Sequence, residues 1–157
     1  MGETQIRRAR QEDLEAVLDL WLEMMRYHGR LDPRFAPADN ARDAFHNTMR
    51  EWIGAAAKRV LVAVADGQVV GYAIGSIAEN PPILKLRHFG HVSDICVPPE
   101  WRRQGIGRRL FGALRKWFRS RGLAVVQLNV AALNPAAQAF WREMGFQDHM
   151  DRMWQEI

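Results

Sequence analysis

The segment from residue 91 to residue 130 constrains the fold of this chain more than any other. Residues 91–97 predict a strand that Pro98-Pro99 closes, and residues 124–130 are a short apolar run. Residues 104–121 between them repeat apolar side chains at helical spacing. Two strands joined through a helix of this length form a crossover connection, which makes them parallel. The segment therefore predicts an α/β structure with a parallel strand pair.

The remaining segments extend this unit into one domain, which we expect to span residues 1–157. Asp66-Gly67 predicts a hairpin turn, Gly29 a helix end, and Asn134-Pro135 a helix start that Gly145 closes. The predicted order is β-α-α-β-β-β-α-β-α-β. The further strands are predicted at 5–9, 60–65, 69–78 and 146–155, and the further helices at 11–28, 39–57 and 135–145.

Charge is distributed unevenly along the chain. Residues 1–100 contain 12 Lys and Arg against 14 Asp and Glu, whereas residues 101–157 contain 10 against 4. Eight of those cations lie in residues 102–121, which contain no acid. This asymmetry predicts an anionic partner, and by itself it leaves nucleic acid, a membrane surface and a phosphorylated ligand open.

Several classes of protein are excluded or disfavoured by the same sequence. No apolar run approaches the roughly 20 residues of a membrane span, and the first residues contain no apolar signal segment. The single cysteine, Cys96, rules out an intrachain disulfide and favours a reducing, cytoplasmic setting. His88-x-x-His91 has no third ligand nearby, so we expect no metal site.

A glycine turn joins the 91–97 strand to the basic helix. Gly105 and Gly107 leave main-chain N–H groups uncovered at a helix N-terminus, an arrangement that binds phosphate. A P-loop would need Gly-Lys-Ser/Thr, and a dinucleotide fingerprint would need a third glycine where Leu110 stands. The turn therefore predicts a phosphate site of another type.

Two motifs resemble those of the GNAT acetyltransferase superfamily. Arg102-x-x-Gly105-x-Gly107 resembles its acetyl-coenzyme A motif, and Asn134-x-x-Ala137-x-x-Phe140-Trp141-x-x-x-Gly145-Phe146 resembles its second motif. The order of elements is also similar along nearly the whole chain. The resemblance implies a GNAT fold, in which four helices flank a mixed, mostly antiparallel sheet with a parallel strand splay at 91–97/124–130.

The resemblance also implies which residues hold acetyl-coenzyme A. The main chain of Ile95, Cys96 and Val97 would pair with the pantetheine arm, and Asn134 would contact that arm near its thiol end. N–H groups of the glycine turn would bind the pyrophosphate. The full implied set is Ile95, Cys96, Val97, Arg102, Arg103, Gln104, Gly105, Ile106, Gly107, Arg108, Asn134 and Trp141.

The implied reaction is direct acetyl transfer to a primary amine, with the N–H of Ile95 as donor to the oxyanion. The amine must lose a proton before it attacks. Strand alternation would place Asp94 on one face with Val92 and Cys96, and His91 on the other. An acid among apolar neighbours has a raised pKa, so we rank Asp94 first as the base and His91 second.

Position 141 departs from the family pattern, since many members have there a tyrosine that protonates the leaving thiolate. Trp141 cannot do so, and a catalytically silent acyl-coenzyme A-binding module is therefore one alternative. A nucleic-acid-binding module built on the basic helix is a second and weaker one. The favoured partners are acetyl-coenzyme A and an amine, without nucleic acid or membrane. The habit of the family suggests a homodimer.

Overall fold

Five strands form one sheet in the computed structural model, which describes residues 3–157. The strand order is β1-β2-β3-β4-β5, and every neighbouring pair is antiparallel except β4–β5, which is parallel. This confirms the mixed sheet and its parallel pair. The strands are β1 (Gln5–Arg8), β2 (Lys58–Ala65), β3 (Gln68–Glu79), β4 (His88–Cys96) and β5 (Val126–Leu128).

Four helices cover the two faces of this sheet, as the fold class predicts. They are α1 (Leu14–Leu31), α2 (Ala41–Trp52), α3 (Ile106–Ser120) and α4 (Pro135–Glu143). Residues of α1 and α2 form one apolar core with Tyr72 and Ile74 of the sheet. Residues of α3 form the other core with Ala73 and Val92, and α4 packs against it. No helix in the part of the chain that the structure describes is long and apolar enough to cross a membrane.

The predicted last strand is absent, and the predicted ends of the first two helices are wrong, since α2 ends at Trp52 and not at 57. The segment 146–155 forms no strand, because Met150, Met153 and Trp154 do not alternate with polar residues and offer the sheet no single apolar face. Gly29 does not end the first helix, which continues to Leu31. A Cβ at Gly29 would lie 2.9 Å from the Cα of Ala36, so glycine is needed there for the returning chain.

A bulge in β4 changes which side chains share a face. Ile74 pairs with Asp94 and Gly75 pairs with Val92, so Ser93 is an extra residue on β4. The predicted grouping of Asp94 with Val92 is therefore wrong. Val92 belongs to the α3 core, whereas Asp94 and His91, which pair with Ile74 and Ser76, both point to the α1–α2 face.

Gly90 of β4 allows α3 to lie close to the sheet. A Cβ at this position would lie 2.7 Å from the Phe118 ring, which is itself fully buried. We expect Gly90→Ala to lower the free energy of unfolding by about 1–3 kcal/mol, because the buried ring has no room to move. Urea denaturation followed by circular dichroism measures this change.

Gly112 provides the matched control, because a Cβ there would have no neighbour within 4 Å. Gly112→Ala, in the middle of α3, should stabilise the protein by up to about 1 kcal/mol through helix propensity alone. If Gly90→Ala were as stable as Gly112→Ala, the close approach of α3 to β4 would be contradicted.

Candidate active site

The turn between β4 and α3 exposes a row of main-chain donors. None of the six consecutive N–H groups from Arg103 to Arg108 has a hydrogen-bond acceptor among the described residues. Gly105, the residue before the first residue of α3, has a left-handed φ of 75° and carries no capping side chain. These free donors lie at the positive end of the helix dipole, which is the chemistry of a phosphate site.

Only part of the arginine cluster is free to face that turn. Arg102 donates from Nε to the carbonyl oxygen of Val97 at 2.8 Å and thereby holds the end of β4. Arg108 forms an ion pair with Glu143 of α4, with 2.6 Å between nitrogen and oxygen. Arg103 is exposed and has no carboxylate partner in the described chain. Arg103 is therefore the cation best placed to meet a bound phosphate.

The parallel strands separate at Val92, before the chain reaches this turn. β4 and β5 pair only through Gly90–Val92 and Val126–Leu128. Beyond Val92 the main chain of β4, including Ile95, has no strand beside it on that edge. An extended ligand such as a pantetheine arm has the shape to occupy this splay, because it would add its amides to the open strand edge.

Asp94 is a carboxylate without a partner. It is partly buried beside fully buried Tyr72 and Ile74, and no described residue donates a hydrogen bond or forms an ion pair with it. Loss of hydration raises its pKa from the usual range to about 6. A carboxylate with this pKa is ionised at neutral pH and is a stronger base than an exposed one.

The other two polar residues of β4 on this face differ from Asp94. Burial, together with the nearby charge of Lys58, lowers the pKa of His91, so its imidazole is neutral near pH 7. Burial raises the pKa of Cys96 to about 12, and its Sγ lies 3.7 Å from the carbonyl oxygen of Leu20. Cys96 is thus a protonated packing residue and not a nucleophile.

No zinc-type cluster completes the site in residues 3–157, and Tyr72 is held in the core. The buried hydroxyl of Tyr72 lies 3.9 Å from Sδ of Met24, and burial raises its pKa. Trp141 packs edge-on against Phe111, Phe140 and Phe146, with ring centroids 4.9–5.5 Å apart. The described residues contain no group of three side chains that could hold a metal ion.

Asn134 and His28 meet where α4 begins and α1 nears its end. Asn134, only 6% exposed, accepts the N–H of Ala137 at 3.1 Å as the predicted helix cap. Its amide nitrogen lies 3.4 Å from Nε2 of His28, whose pKa burial lowers. Sequence reasoning missed His28, although it continues the apolar stripe that runs through Met24 and Met25.

Ser76 is a second residue that sequence reasoning missed. It is 6% exposed, and it pairs with His91 across β3 and β4. In the sequence it stands out as a serine within the apolar run 69–78, and that pattern could have indicated it. With His91 and Asp94 it gives the α1–α2 face of the sheet a short polar strip.

Comparison with known proteins gives a consistent result. The model of the acetyltransferase (GNAT) family matches residues 14–146. A curated relative, an uncharacterized N-acetyltransferase of Archaeoglobus fulgidus, is 27% identical over 138 residues, which cover 87% of this chain and 88% of that protein.

Solved structures share the fold at lower identity. A mutant of the BH1408 protein from Bacillus halodurans superposes with a TM-score of 0.86 at 23% identity, covering 98% of this chain and 99% of that one. The aminoglycoside N-acetyltransferase AAC(6')-Iy in complex with CoA superposes with a TM-score of 0.77 at 21% identity, covering 100% and 96%. At these identities the likeness concerns the fold.

Proposed function

This chain belongs to the acetyltransferase (GNAT) family, and from that premise we propose that it transfers an acetyl group from acetyl-coenzyme A to a primary amine within a ternary complex. The observation that carries the proposal is the row of six unpaired N–H groups directly after the open end of β4. Acetyl-coenzyme A would supply the activated acetyl group. The known CoA complex of the neighbour AAC(6')-Iy supports this choice of cosubstrate.

Residues of β4 and of the turn after it would have separate roles in this reaction. The turn from Arg103 to Arg108 binds the pyrophosphate, and the open edge at Ile95–Val97 binds the pantetheine arm. The N–H of Ile95 donates to the acetyl carbonyl oxygen as its negative charge grows. This division places the acetyl group beside Asp94 on the same strand.

Asp94 is the base in this proposal, because it is ionised near neutral pH and no other group binds it. It takes a proton from the ammonium form of the acceptor, so that the amine can attack. His91, neutral on the same face, is the second candidate. Trp141 cannot protonate the thiolate, which then leaves unaided or takes its proton from water.

Binding and turnover test the proposal separately. Isothermal titration calorimetry with acetyl-coenzyme A should give micromolar affinity, and no binding at millimolar ligand would overturn the proposal. Thiol release should then be measured over a panel of aminoglycosides, polyamines and peptide amines. Amine-dependent release supports the enzyme, whereas binding without any turnover would support the catalytically silent module.

The role of Asn134 can be separated from its role as a helix cap. We expect Asn134→Ala to lower stability by about 1 kcal/mol through the lost cap, whereas Asn134→Ser retains a capping oxygen and most of that stability. If the amide contacts the cofactor arm, both variants should weaken acetyl-coenzyme A binding about tenfold. An affinity that fell only in the alanine variant would leave Asn134 as a cap alone.

Two finer expectations belong to the same proposal, a cytoplasmic setting and a homodimer. After α4 the chain exposes apolar side chains that a second copy would cover, namely Met150, Met153, Trp154 and Ile157. Light scattering coupled to gel filtration tests the dimer.

A further inference from the structure

A second cationic cluster lies at the end of α3 far from the glycine turn. Arg59 of β2 places its guanidinium carbon 5.0 Å from the centre of the Trp117 ring. Arg121, one turn after Trp117, donates from Nη2 to the carbonyl oxygen of Ala56 at 2.7 Å. Arg8 of β1 pairs with Leu61 and so points to the same sheet face as Arg59. Three arginines therefore lie at this end of the sheet, and one of them, Arg59, stacks over the indole.

These three arginines have no acidic neighbour. None of them forms an ion pair within residues 3–157, although most ion pairs of the described chain involve arginine. Burial and the charges of Arg8 and Arg121 lower the pKa of Arg59. Their mutual repulsion is therefore not offset by an ion pair with any carboxylate of residues 3–157.

Two buried donors at this place also have no acceptor. Nε of Arg59 and Nε1 of Trp117 are inaccessible to solvent, and no described atom accepts their protons. Trp117 is only 7% exposed. A buried N–H without an acceptor destabilises the fold, so these two donors, beside three arginines without a carboxylate partner, mark a place that lacks an acceptor.

The carboxyl end of α3 does not supply the missing acceptor. The carbonyl oxygens of Trp117, Phe118 and Arg119 already accept main-chain N–H groups of the residues that follow the helix. The partial negative charge of the helix end helps to hold Arg121, but it offers Arg59 no free acceptor in a defined direction.

We propose that Arg8, Arg59 and Arg121 form a second anion site over Trp117, which takes a phosphate-class oxyanion. Such an ion carries up to two negative charges and several acceptor oxygens, so it would offset the repulsion and accept guanidinium N–H groups together. The 15 residues of α3 span about 22 Å, which separates this site from the glycine turn. The proposal does not depend on the proposed function.

A titration with inorganic phosphate tests the site, with the indole N–H of Trp117 as the reporter. The indole N–H signal of Trp117, assigned by its absence in Trp117→Phe, is followed by two-dimensional NMR of 15N-labelled protein. The same titration is repeated in Arg103→Glu, which weakens any phosphate site at the glycine turn, and should give the same result. We expect a saturable shift of this signal with phosphate, and none with sodium chloride at equal ionic strength.

Arginine variants then decide the assignment. Arg59→Gln should weaken phosphate binding at least tenfold, and Arg8→Gln, an exposed substitution that leaves the core intact, should weaken it severalfold. Arg50→Gln removes one exposed charge from α2 and should change nothing. Absence of a saturable shift, or a shift that persists unchanged in both Arg59→Gln and Arg8→Gln, would overturn the proposal.

Discussion

Replacing Asp94 by asparagine should lower kcat at least about 100-fold near neutral pH, the range expected for loss of a general base. The affinity for acetyl-coenzyme A should stay within about twofold, because Asp94 lies on β4 and the phosphate donors lie in the turn after it. Steady-state rates and calorimetry measure the two effects independently.

The pH dependence gives this prediction its sharpest test. The carboxylate is the active form of a base, so the rate of the unsubstituted protein should fall as pH falls through about 6, the pKa of Asp94. This fall in rate on the acidic side of the pH profile should be absent in Asp94→Asn. If Asp94→Asn kept full activity and His91→Gln lost it, the base would be His91.

The same substitution should stabilise the fold. A carboxyl whose folded-state pKa is raised favours the folded state when protonated, and this advantage is lost as pH rises from about 4 to about 6. Asp94→Asn removes the buried charge, so above pH 6 its free energy of unfolding should be higher by on the order of 1–3 kcal/mol. The exposed control Asp151→Asn, outside any helix or strand, should change neither rate nor stability. A destabilised Asp94→Asn would show that the carboxylate has a partner.

Arg103→Glu should raise the dissociation constant of acetyl-coenzyme A about 100-fold, equivalent to about 2.7 kcal/mol. The substitution replaces a cation by an anion at the turn where six N–H groups have no other acceptor. The backbone should tolerate it, since Arg103 already has a left-handed φ of 63° and glutamate meets the same strain. Calorimetry at two salt concentrations measures both the loss and its screening.

Arg119→Glu is the matched control for this charge reversal. Arg119 is exposed on the same helix, near its opposite end. The distance along α3 exceeds the Debye length of about 8 Å at physiological salt, so the control should weaken binding less than about threefold. Equal losses in both variants would mean that general charge, and not the turn, attracts the cofactor.

The sequence was sufficient wherever one local rule acted alone. Asp66-Gly67 forms the predicted hairpin with φ of 48° and 77°, and Asn134 caps α4 through its own side chain. The parallel pair β4–β5 follows from a crossover connection, which is a rule of topology. The glycine turn likewise forms as predicted, because glycine at Gly105 permits a left-handed φ that leaves the next N–H groups free.

Contacts between distant segments decided the rest. From the local sequence Gly29 predicts a helix end. It is glycine because the backbone of Ala36 lies too close to leave room for a Cβ. His28 reads as a polar residue near the end of a helix, and only its contact with Asn134, more than 100 residues later, places it at the site. Neither partner is visible from the local pattern.

The sheet face on which Asp94 lies shows most clearly what the sequence alone could not predict. Alternation along β4 determines that Asp94 lies among apolar residues, and burial then raises its pKa whichever core receives it. Which core it faces depends on one extra residue, Ser93, whose bulge arises from the register between β3 and β4. The sequence by itself determined most of the elements, the parallel pair and the glycine turn, because these follow from local conformation and connection length. Only the tertiary structure decided that Asp94 and His91 share the α1–α2 face, because a strand's register is set by its neighbours.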